Sequence, residues 1–410
     1  MGGFDAAGLE AAQAPLKAVI ASGDISGAVT LIWRDGEIID VACLGQRDIA
    51  RGLPMTRDTL FRIASMTKPV TTVAALMLME EGRFKLEDPI TPWAPEFADM
   101  RVLKDPAGPV EDTYTAPREI TFEDLMTHRA GLAYAFSSVG PIAHAHQKAL
   151  GDVLASPQDS DAWMAALAGL PLTYPPGERF HYSHATDVLG FVAARVAGTD
   201  IRTLMKTRIF DPLGMSDTDF FTPPAKRDRQ AVVYRLDEKA DRLDVVGFPV
   251  HDVPPAFCGG GGGLVSTADD YLKFARMLLN DGEVDGVRLL NPETVRLMRT
   301  NRLTPEQRAH TFMGMPFWLG QGFGLGLSVI DNPAANAWMG PGSEGAFTWP
   351  GAFGTWWQAD PVNNMILIYL IQNAMPLGPE AVANMGQSER LGARLALPQW
   401  QFAVHAALKR

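Results

Sequence analysis

The sequence predicts a mixed α/β (α+β) fold in which both ends of the chain build one antiparallel sheet. Near the start, "GAVTLIWRDGEIIDVACLG" contains two β-rich runs separated by Asp35-Gly36, a dipeptide that suits the positive φ angles of a tight hairpin turn. Near the other end, "GTWWQAD" and "NMILIYLIQN" form a second antiparallel pair around Asp360–Asn363. The stretches between are mostly helical in pattern, so we expect helices that flank the sheet and an inserted, mainly helical subdomain.

Hydrophobic periodicity predicts the helices. "ATDVLGFVAARVAG" places Val188, Val192 and Val196 on one stripe and ends at a glycine. "STADDYLKFARMLLNDG" predicts a helix whose first turn is capped by Ser266 or Thr267. Further helices are predicted over Phe4–Ala21, Pro379–Leu395 and Pro398–Leu408.

These elements predict one domain over residues 1–410. We expect its α/β part at about 1–90 and 283–410 and its helical subdomain at about 91–282. A run of five glycines, Gly259–Gly263, lies near the second boundary. Because glycine tolerates unusual backbone angles and leaves room for a neighbouring chain, this run predicts a sharp turn or a close backbone approach.

Composition limits the classes of partner. Apolar residues make up 47% and charged residues 20%, which is typical of a soluble globular protein, and the net charge of −11 disfavours nucleic acid and anionic membranes. The N-terminus has no signal-like pattern, and no apolar run reaches the about 18 residues that a membrane span needs. We therefore expect a cytoplasmic protein. Its two cysteines, Cys43 and Cys258, are expected to be buried thiols in a reducing compartment.

A serine and a lysine lie three residues apart in "FRIASMTKPVTTVAALMLMEEG". Pro69 belongs in the first turn of a helix, so Ser65 and Lys68 share one face at the start of a buried helix. A serine hydroxyl becomes a nucleophile when a base takes its proton, and a lysine in a low-dielectric site loses its charge readily. The pair therefore indicates nucleophilic catalysis, although S-x-x-K alone is a weak signal.

Several further blocks occur in a fixed order along the chain: "ITFEDLMTHRAGL", "YPPGERFHYSHATDVLGFVAARVAG", "IFDPLGMSDTDF", "GGGGLVSTADDYLKFARMLLN" and "GAFTWPGAFGTWWQADP". Together with the serine–lysine block, they resemble the serine β-lactamase/penicillin-binding-protein superfamily. The chain looks most similar to the family VIII carboxylesterases, which share the class C β-lactamase fold. The resemblance implies that Ser65 is acylated and that Lys68 is its neighbouring base or electrostatic partner.

The resemblance also assigns the "YSH" motif. Tyr182 would accept the serine proton or relay a proton to the leaving group, and it would titrate together with Lys68. Which of these two residues is the formal base stays open. His184 stands where the family usually has asparagine, and we expect it either to bind substrate or to pack in the core.

The third motif is "WPGA", at the place where β-lactamases usually carry lysine-threonine-glycine. Trp349 takes the lysine position, as is typical of the esterases, and would present an apolar face and an indole N–H to substrate. Gly351 would let the backbone approach closely. By the resemblance, the backbone N–H groups of Ser65 and Ala352 would form the oxyanion hole.

These motifs predict a serine hydrolase that cleaves small neutral carboxylic esters with short acyl chains through an acyl-Ser65 intermediate. A weak β-lactamase, an amide or peptide hydrolase and an acyltransferase remain alternatives with the same machinery, and a non-catalytic penicillin-binding-type module is a more distant one. We expect no cofactor and no metal, since no ligand cluster accompanies His144 and His146. The segments Ala133–Asp161 and Phe220–Phe257 lie between the motif blocks and are expected to wall the pocket.

Overall fold

The computed structural model describes residues 3–152, 154, 156–375, 377 and 390–409. Its main feature is an eight-stranded sheet in the order β12-β13-β14-β15-β16-β1-β2-β3, in which every neighbouring pair is antiparallel. The described strands are β1 Gly27–Arg34, β2 Glu37–Asp48, β3 Leu53–Pro54, β4 Phe61–Arg62, β5 Arg101–Leu103, β6 Thr113–Thr115, β7 Tyr234–Asp237, β8 Arg242–Val245, β9 Val265–Ser266, β10 Glu283–Val284, β11 Val287–Arg288, β12 Gln321–Phe323, β13 Ser328–Ile330, β14 Phe347–Thr348, β15 Trp356–Asp360 and β16 Met365–Ile371.

The helices lie on both faces of this sheet and in the middle of the chain. The described α-helices are α1 Ala6–Ala12, α2 Ala14–Ala21, α3 Thr67–Glu80, α4 Phe122–Met126, α5 Pro141–Leu150, α6 Ser160–Ala168, α7 Ala185–Ala197, α8 Ile201–Met205, α9 Asp211–Leu213, α10 Ala268–Leu279, α11 Pro292–Met298, α12 Pro305–Arg308, α13 Pro333–Asn336 and α14 Gly392–Ala406. Short 3₁₀ turns cover Ala64–Met66, Pro95–Phe97, Ala135–Ser137 and Pro224–Arg229, and one π turn covers Lys206–Phe210.

Both predicted hairpins are confirmed, and they meet at the centre of the sheet. The turn between β1 and β2 has positive φ at Asp35 (50°) and Gly36 (92°), as the dipeptide predicts. β15 pairs with β16 up to Asp360 and Met365. Because β1 also pairs with β16, the two ends of the chain form one continuous sheet. This is the antiparallel sheet expected from the sequence.

Alternation along the strands gives the sheet two apolar faces. One face packs on α1, α2 and α14 through side chains such as Ile32, Leu367 and Trp400. The other face packs on the larger core, which contains α3, α7 and α10. The regular elements between β4 and β11 are mostly helices, but they also include two ribbons, β5–β6 and β7–β8, which the sequence does not predict. The predicted boundaries near residues 90 and 282 stay a prediction.

Two helical predictions need correction. The first helix is two helices, because Gln13 ends α1 and Pro15 occupies the first turn of α2. Pro398 does not begin a new helix but lies inside α14, where packing of Ala396 and Trp400 against the sheet outweighs the lost backbone hydrogen bond. Most of the predicted helix Pro379–Leu395 lies outside the described residues.

The expectation of two buried thiols is half right. Both cysteines are free thiols, and Cys258 is buried, but Cys43 is exposed. Cys43 lies on β2. The neighbouring strand β3 is short and pairs with β2 only near Gln46 and Asp48, so the part of β2 that contains Cys43 is an open sheet edge. No helix among the described residues is long and apolar enough to cross a membrane.

Candidate active site

The turn that carries Ser65 is held from several sides. β4 pairs with β9, and the Ile63 N–H donates to the Leu264 carbonyl at 3.0 Å. The Tyr271 hydroxyl donates to the Met66 carbonyl at 2.9 Å. Ala64 adopts a φ of 45°, a conformation that is uncommon for a residue with a Cβ and that persists only where the surroundings enforce it. Ser65 is therefore presented from a rigid turn just before α3, as the position of Pro69 predicts.

The structure brings Ser65, Lys68 and Tyr182 together. Tyr182 Oη lies 2.7 Å from Ser65 Oγ, with the phenol as donor, and Lys68 Nζ donates to the same oxygen at 3.2 Å. Lys68 Nζ also lies 4.6 Å from the centroid of the Tyr182 ring. These three side chains come from α3, the turn before it and the segment before α7. The predicted catalytic groups are thus within direct proton-transfer reach of one another.

Lys68 is fully buried, and its amino group is surrounded by acceptors. Besides Ser65, it donates to Tyr134 Oη at 3.1 Å and to the Gly261 carbonyl at 2.6 Å. A carbonyl can only accept, so the contact with Gly261 requires an N–H on the lysine. The three contacts use all the protons of an ammonium group.

The glycine run contributes backbone to this site. The Gly261 N–H donates to Asp187 Oδ1 at 2.7 Å, while the Gly260 carbonyl accepts from Thr71 Oγ1 at 2.6 Å. A Cβ on Gly261 would lie 2.8 Å from the Asp187 carboxylate and 2.9 Å from Tyr134 Oη. The close backbone approach expected from the glycines is therefore confirmed.

Tyr134 is a site residue that the sequence analysis missed. Its phenol lies between Lys68 and Asp187, and burial together with the Asp187 charge raises its pKa well above the usual value. Tyr134 thus stays neutral at ordinary pH and can accept from Lys68 while it donates to Asp187. No local pattern marks it, since it is one aromatic residue that follows the "THRAGL" block in a loop.

Trp349 lies against Tyr182 in a buried aromatic cluster. Its indole N–H donates to Tyr182 Oη at 3.1 Å, and only 2% of the residue is exposed. Rings of Phe317 and Phe323 pack against the indole, with centroids 6.0 and 5.0 Å away. Trp349 borders the cavity as expected, but its N–H is engaged by Tyr182 instead of being available to substrate.

Gly351 and Ala352 follow Trp349 and bring the backbone beside Ser65. A Cβ on Gly351 would come within 2.3 Å of the Ile63 carbonyl, so only glycine fits this approach. The backbone N–H groups of Ser65 and Ala352 have no hydrogen-bond acceptor within the described residues, and both residues border the same cavity. Two unpaired donors beside the serine are what an oxyanion requires.

A cavity of about 370 Å³ opens above Ser65, and it is called here the first cavity. The two segments that were expected to wall the pocket, 133–161 and 220–257, do contribute to it, and residues 312 and 313 add a further wall. Its apolar lining includes Phe136, Leu154, Val246, Phe248, Phe312 and Phe353. An apolar chamber of this size suits a small acyl or alcohol group.

Of the two roles expected for His184, substrate binding and packing in the core, the structure shows packing. The imidazole is 2% exposed and does not border the first cavity. Its Nδ1 lies 2.9 Å from Asp187 Oδ2, and its ring packs edge-on to Tyr134 and Trp163, with centroids 4.3 and 5.1 Å away. The carboxylate three residues along α7 draws the ring away from the cavity. Tyr134, not His184, occupies the cavity side of Lys68.

Comparison with known sequences identifies the family. The family model described as Beta-lactamase matches residues 12–390 of the chain. The chain belongs to the beta-lactamase family. The resemblance predicted from the motif blocks is thereby confirmed, and so is the class of fold.

Similar proteins align with 85% or more of the chain. Protein Rv1367c of Mycobacterium tuberculosis is 52% identical over 404 residues, which are 98% of this chain and 99% of that protein. Esterase EstB of Burkholderia gladioli is 30% identical over 85% of this chain and 86% of its own length. Among solved structures, EstCE1, described as a hydrolase with promiscuous acyltransferase activity, superposes with a TM-score of 0.78 at 26% identity and covers 97% of this chain and 99% of its own.

Proposed function

We propose that the protein is a serine carboxylesterase that cleaves small neutral carboxylic esters with short acyl chains through an acyl-Ser65 intermediate. The observation that carries this proposal is geometric. Ser65 Oγ lies at the base of an apolar cavity, 2.7 Å from Tyr182 Oη and 3.2 Å from Lys68 Nζ, beside two unpaired backbone N–H groups. The similarity to EstB and to EstCE1 supports the same chemistry.

The contacts of Lys68 favour Tyr182 as the proton acceptor. Lys68 donates to the Gly261 carbonyl and lies within hydrogen-bond distance of Tyr134 Oη and Ser65 Oγ, so its amino group is held in place; in this proposal it is the electrostatic partner of the pair. In the reactive form Tyr182 is a phenolate, and the Lys68 charge and the Trp349 N–H both lie close enough to stabilise it. The oxygen of Tyr182 then takes the Ser65 proton directly.

Acylation and deacylation follow from this arrangement. Ser65 Oγ forms a bond with the ester carbonyl carbon while its proton moves to Tyr182, and the N–H groups of Ser65 and Ala352 receive the oxyanion. Collapse breaks the bond to the alkoxy oxygen, which leaves as the alcohol with the proton from Tyr182. Water then gives its proton to Tyr182 and attacks the acyl carbon, and the carboxylic acid departs as Ser65 recovers its proton.

Acyl transfer is the second candidate function. The acyl-enzyme is common to both reactions, and the outcome depends on whether water or an alcohol reaches it. Because the lining of the first cavity is apolar, an alcohol should bind there and compete with water for the acyl-enzyme better than its concentration in solution would predict. The similarity to EstCE1 points the same way.

Substitution of Ser65 by alanine tests the proposed function. We expect purified Ser65→Ala to keep no more than about 1% of the wild-type kcat on p-nitrophenyl butyrate, because no other group can form the acyl-enzyme. The serine makes no helix-capping hydrogen bond, so the variant should fold with a melting temperature close to that of the wild type. Ser22→Ala, on a distant exposed turn, is the matched control. Substantial turnover in folded Ser65→Ala would overturn the nucleophile assignment.

A further inference from the structure

A second cavity of about 310 Å³ lies beside the first. Leu154 and Phe248 border both cavities, so only these side chains separate the two spaces at that point. The lining of the second cavity is more polar than that of the first and includes Arg62, Arg227, Thr222, Gln230 and His251. Among the described residues that line it, none is an aspartate or a glutamate.

The Arg62 guanidinium has no anionic partner in the described part of the chain. Its guanidinium lies 4.6 Å from the centroid of the Phe248 ring, and it makes no hydrogen bond or ion pair with any residue that the structure describes. Burial lowers the pKa of Arg62 to about 10, so the side chain remains a cation at neutral pH. A partly buried cation without a counter-ion is costly, which leaves the site poised for an anion.

Two other side chains in the same wall have buried polar atoms that lack a hydrogen-bond partner among the described residues. Arg227 donates at its outer end to the His251 carbonyl and to Asp252, but its Nε is buried and unpaired. Thr222 Oγ1 is also buried and has no partner within the described part of the chain. Buried polar groups are normally satisfied, so these two unpaired atoms, beside the half-buried guanidinium of Arg62, indicate a ligand.

We propose that the second cavity is a carboxylate-binding subsite that holds the far end of an ester substrate whose carbonyl lies at Ser65. This inference rests on the acyl-Ser65 chemistry of the proposed function, but it replaces the neutral substrates by esters that carry a distal carboxylate, such as monoesters of short dicarboxylic acids. Arg62 is the central contact, with Arg227 and Thr222 beside it. An arginine matches a carboxylate with two parallel N–H donors, and a neutral ester end accepts from them without the added charge attraction.

Position along the chain supports a single bridging substrate. Arg62 on β4 precedes Ser65 by three residues, so the nucleophile and the proposed anion contact belong to the same short segment. The shared wall at Phe248 is apolar and suits the methylene groups between the two ends of such a substrate. The reacting end thus occupies the mainly apolar chamber that contains Ser65, while the charged end lies beside Arg62 and Arg227.

Matched substrates test this subsite. The p-nitrophenyl monoesters of succinate, glutarate, adipate and suberate are each compared with the same compound whose free carboxylate is methylated. We expect one chain length at which wild-type kcat/KM for the acid exceeds that for its methyl ester by about 10- to 150-fold, the ratio expected for one charge-assisted hydrogen bond. A ratio near or below one at every length would overturn the proposal.

Arginine variants show which residue produces the preference for the acid over its methyl ester. In Arg62→Gln the acid-to-methyl-ester ratio should fall to near one, and Arg62→Lys should retain part of it. Arg235→Gln is the control, because Arg235 is an exposed cation that borders the first cavity only. If Arg235→Gln removes the preference and Arg62→Gln leaves it, the carboxylate binds at the mouth of the first cavity and the subsite is refuted.

A binding measurement separates this inference from the proposed reaction. Ser65→Ala has the same second cavity, so calorimetry on it should show monomethyl adipate binding more tightly than dimethyl adipate. The difference should disappear in Ser65→Ala combined with Arg62→Gln. The subsite is confirmed by this result even if ester hydrolysis fails, whereas equal binding of the two probes to Ser65→Ala overturns it.

Discussion

The base of the first cavity and the wall of the second cavity use their polar groups in opposite ways. Around Lys68 each donor has an acceptor, and the network continues through Gly261 into the buried core. In the second cavity the Arg62 guanidinium has no hydrogen-bond or ion-pair partner among the residues that the structure describes, and Arg227 Nε is unpaired within the same residues. The side chains that move protons at Ser65 are paired with the protein itself, while the groups that receive a ligand, such as the oxyanion donors Ser65 and Ala352 and the Arg62 guanidinium, remain unpaired until it binds.

The largest expected effect tests whether the base of the first cavity acts as one unit. Lys68→Ala and Tyr182→Phe should each lower kcat on p-nitrophenyl butyrate by several orders of magnitude, because each leaves the Ser65 hydroxyl without its proton acceptor or its fixed charge. The double variant should lose little more than the worse single variant.

Steady-state kinetics on the four proteins measures this coupling. The exposed pair Lys85 and Tyr114 supplies controls, as Lys85→Ala and Tyr114→Phe, which should leave kcat within about twofold of wild type since neither touches the site. Fully multiplicative losses in the double variant would mean that one of the two residues works in a separate step.

A smaller effect, a preference of about two orders of magnitude in kcat/KM for esters over penicillins, follows from Trp349. A lysine at this position would pair with the carboxylate of a penicillin, whereas the indole offers an apolar face, and its N–H is engaged by Tyr182. Loss of one charge-assisted contact weakens the transition state by roughly 10- to 150-fold. We therefore expect kcat/KM for p-nitrophenyl acetate or butyrate to exceed that for common penicillins by at least about 100-fold.

The comparison is a paired assay on one preparation at one pH. A penicillin that is hydrolysed as efficiently as the best short-chain ester would place this enzyme among the β-lactamases by activity as well as by family.

The smallest expected effect concerns Asp187, which is one step removed from the reacting atoms. Asp187→Asn keeps the size of the side chain but removes the charge that faces the Gly261 N–H, His184 and Tyr134. We expect kcat to fall by about tenfold, as for one weakened hydrogen bond to a charged group, with KM little changed. A larger change in KM than in kcat would show that Asp187 shapes the cavity instead of positioning Lys68.

The sequence predicted the parts of the site that depend on local chain geometry. Ser65 and Lys68 share a face because they lie three residues apart, and the turn at Asp35-Gly36 is favoured by those residues themselves. The side-chain direction of His184 was not predictable in this way, because it depends on Asp187 and on packing against Tyr134. A motif position fixes the backbone, while tertiary contacts decide where the side chain points.

Residues that join the site across long stretches of chain were also beyond local patterns. Tyr134 meets Lys68 from 66 residues away, and Gly261 meets it from 193. The second cavity brings Arg62 beside Arg227 in the same manner. Contacts between such distant parts of the chain follow from the fold, so only the three-dimensional structure shows them.

Intact mass after reaction with a fluorophosphonate tests the central claim, a nucleophilic Ser65, most directly. The wild-type protein and Ser22→Ala should each gain the mass of one phosphonyl group, and peptide mapping should place it on the segment "FRIASMTK". Ser65→Ala should gain none under the same conditions. An adduct that forms on Ser65→Ala at the wild-type rate, or a wild-type protein that is never labelled, would contradict this account.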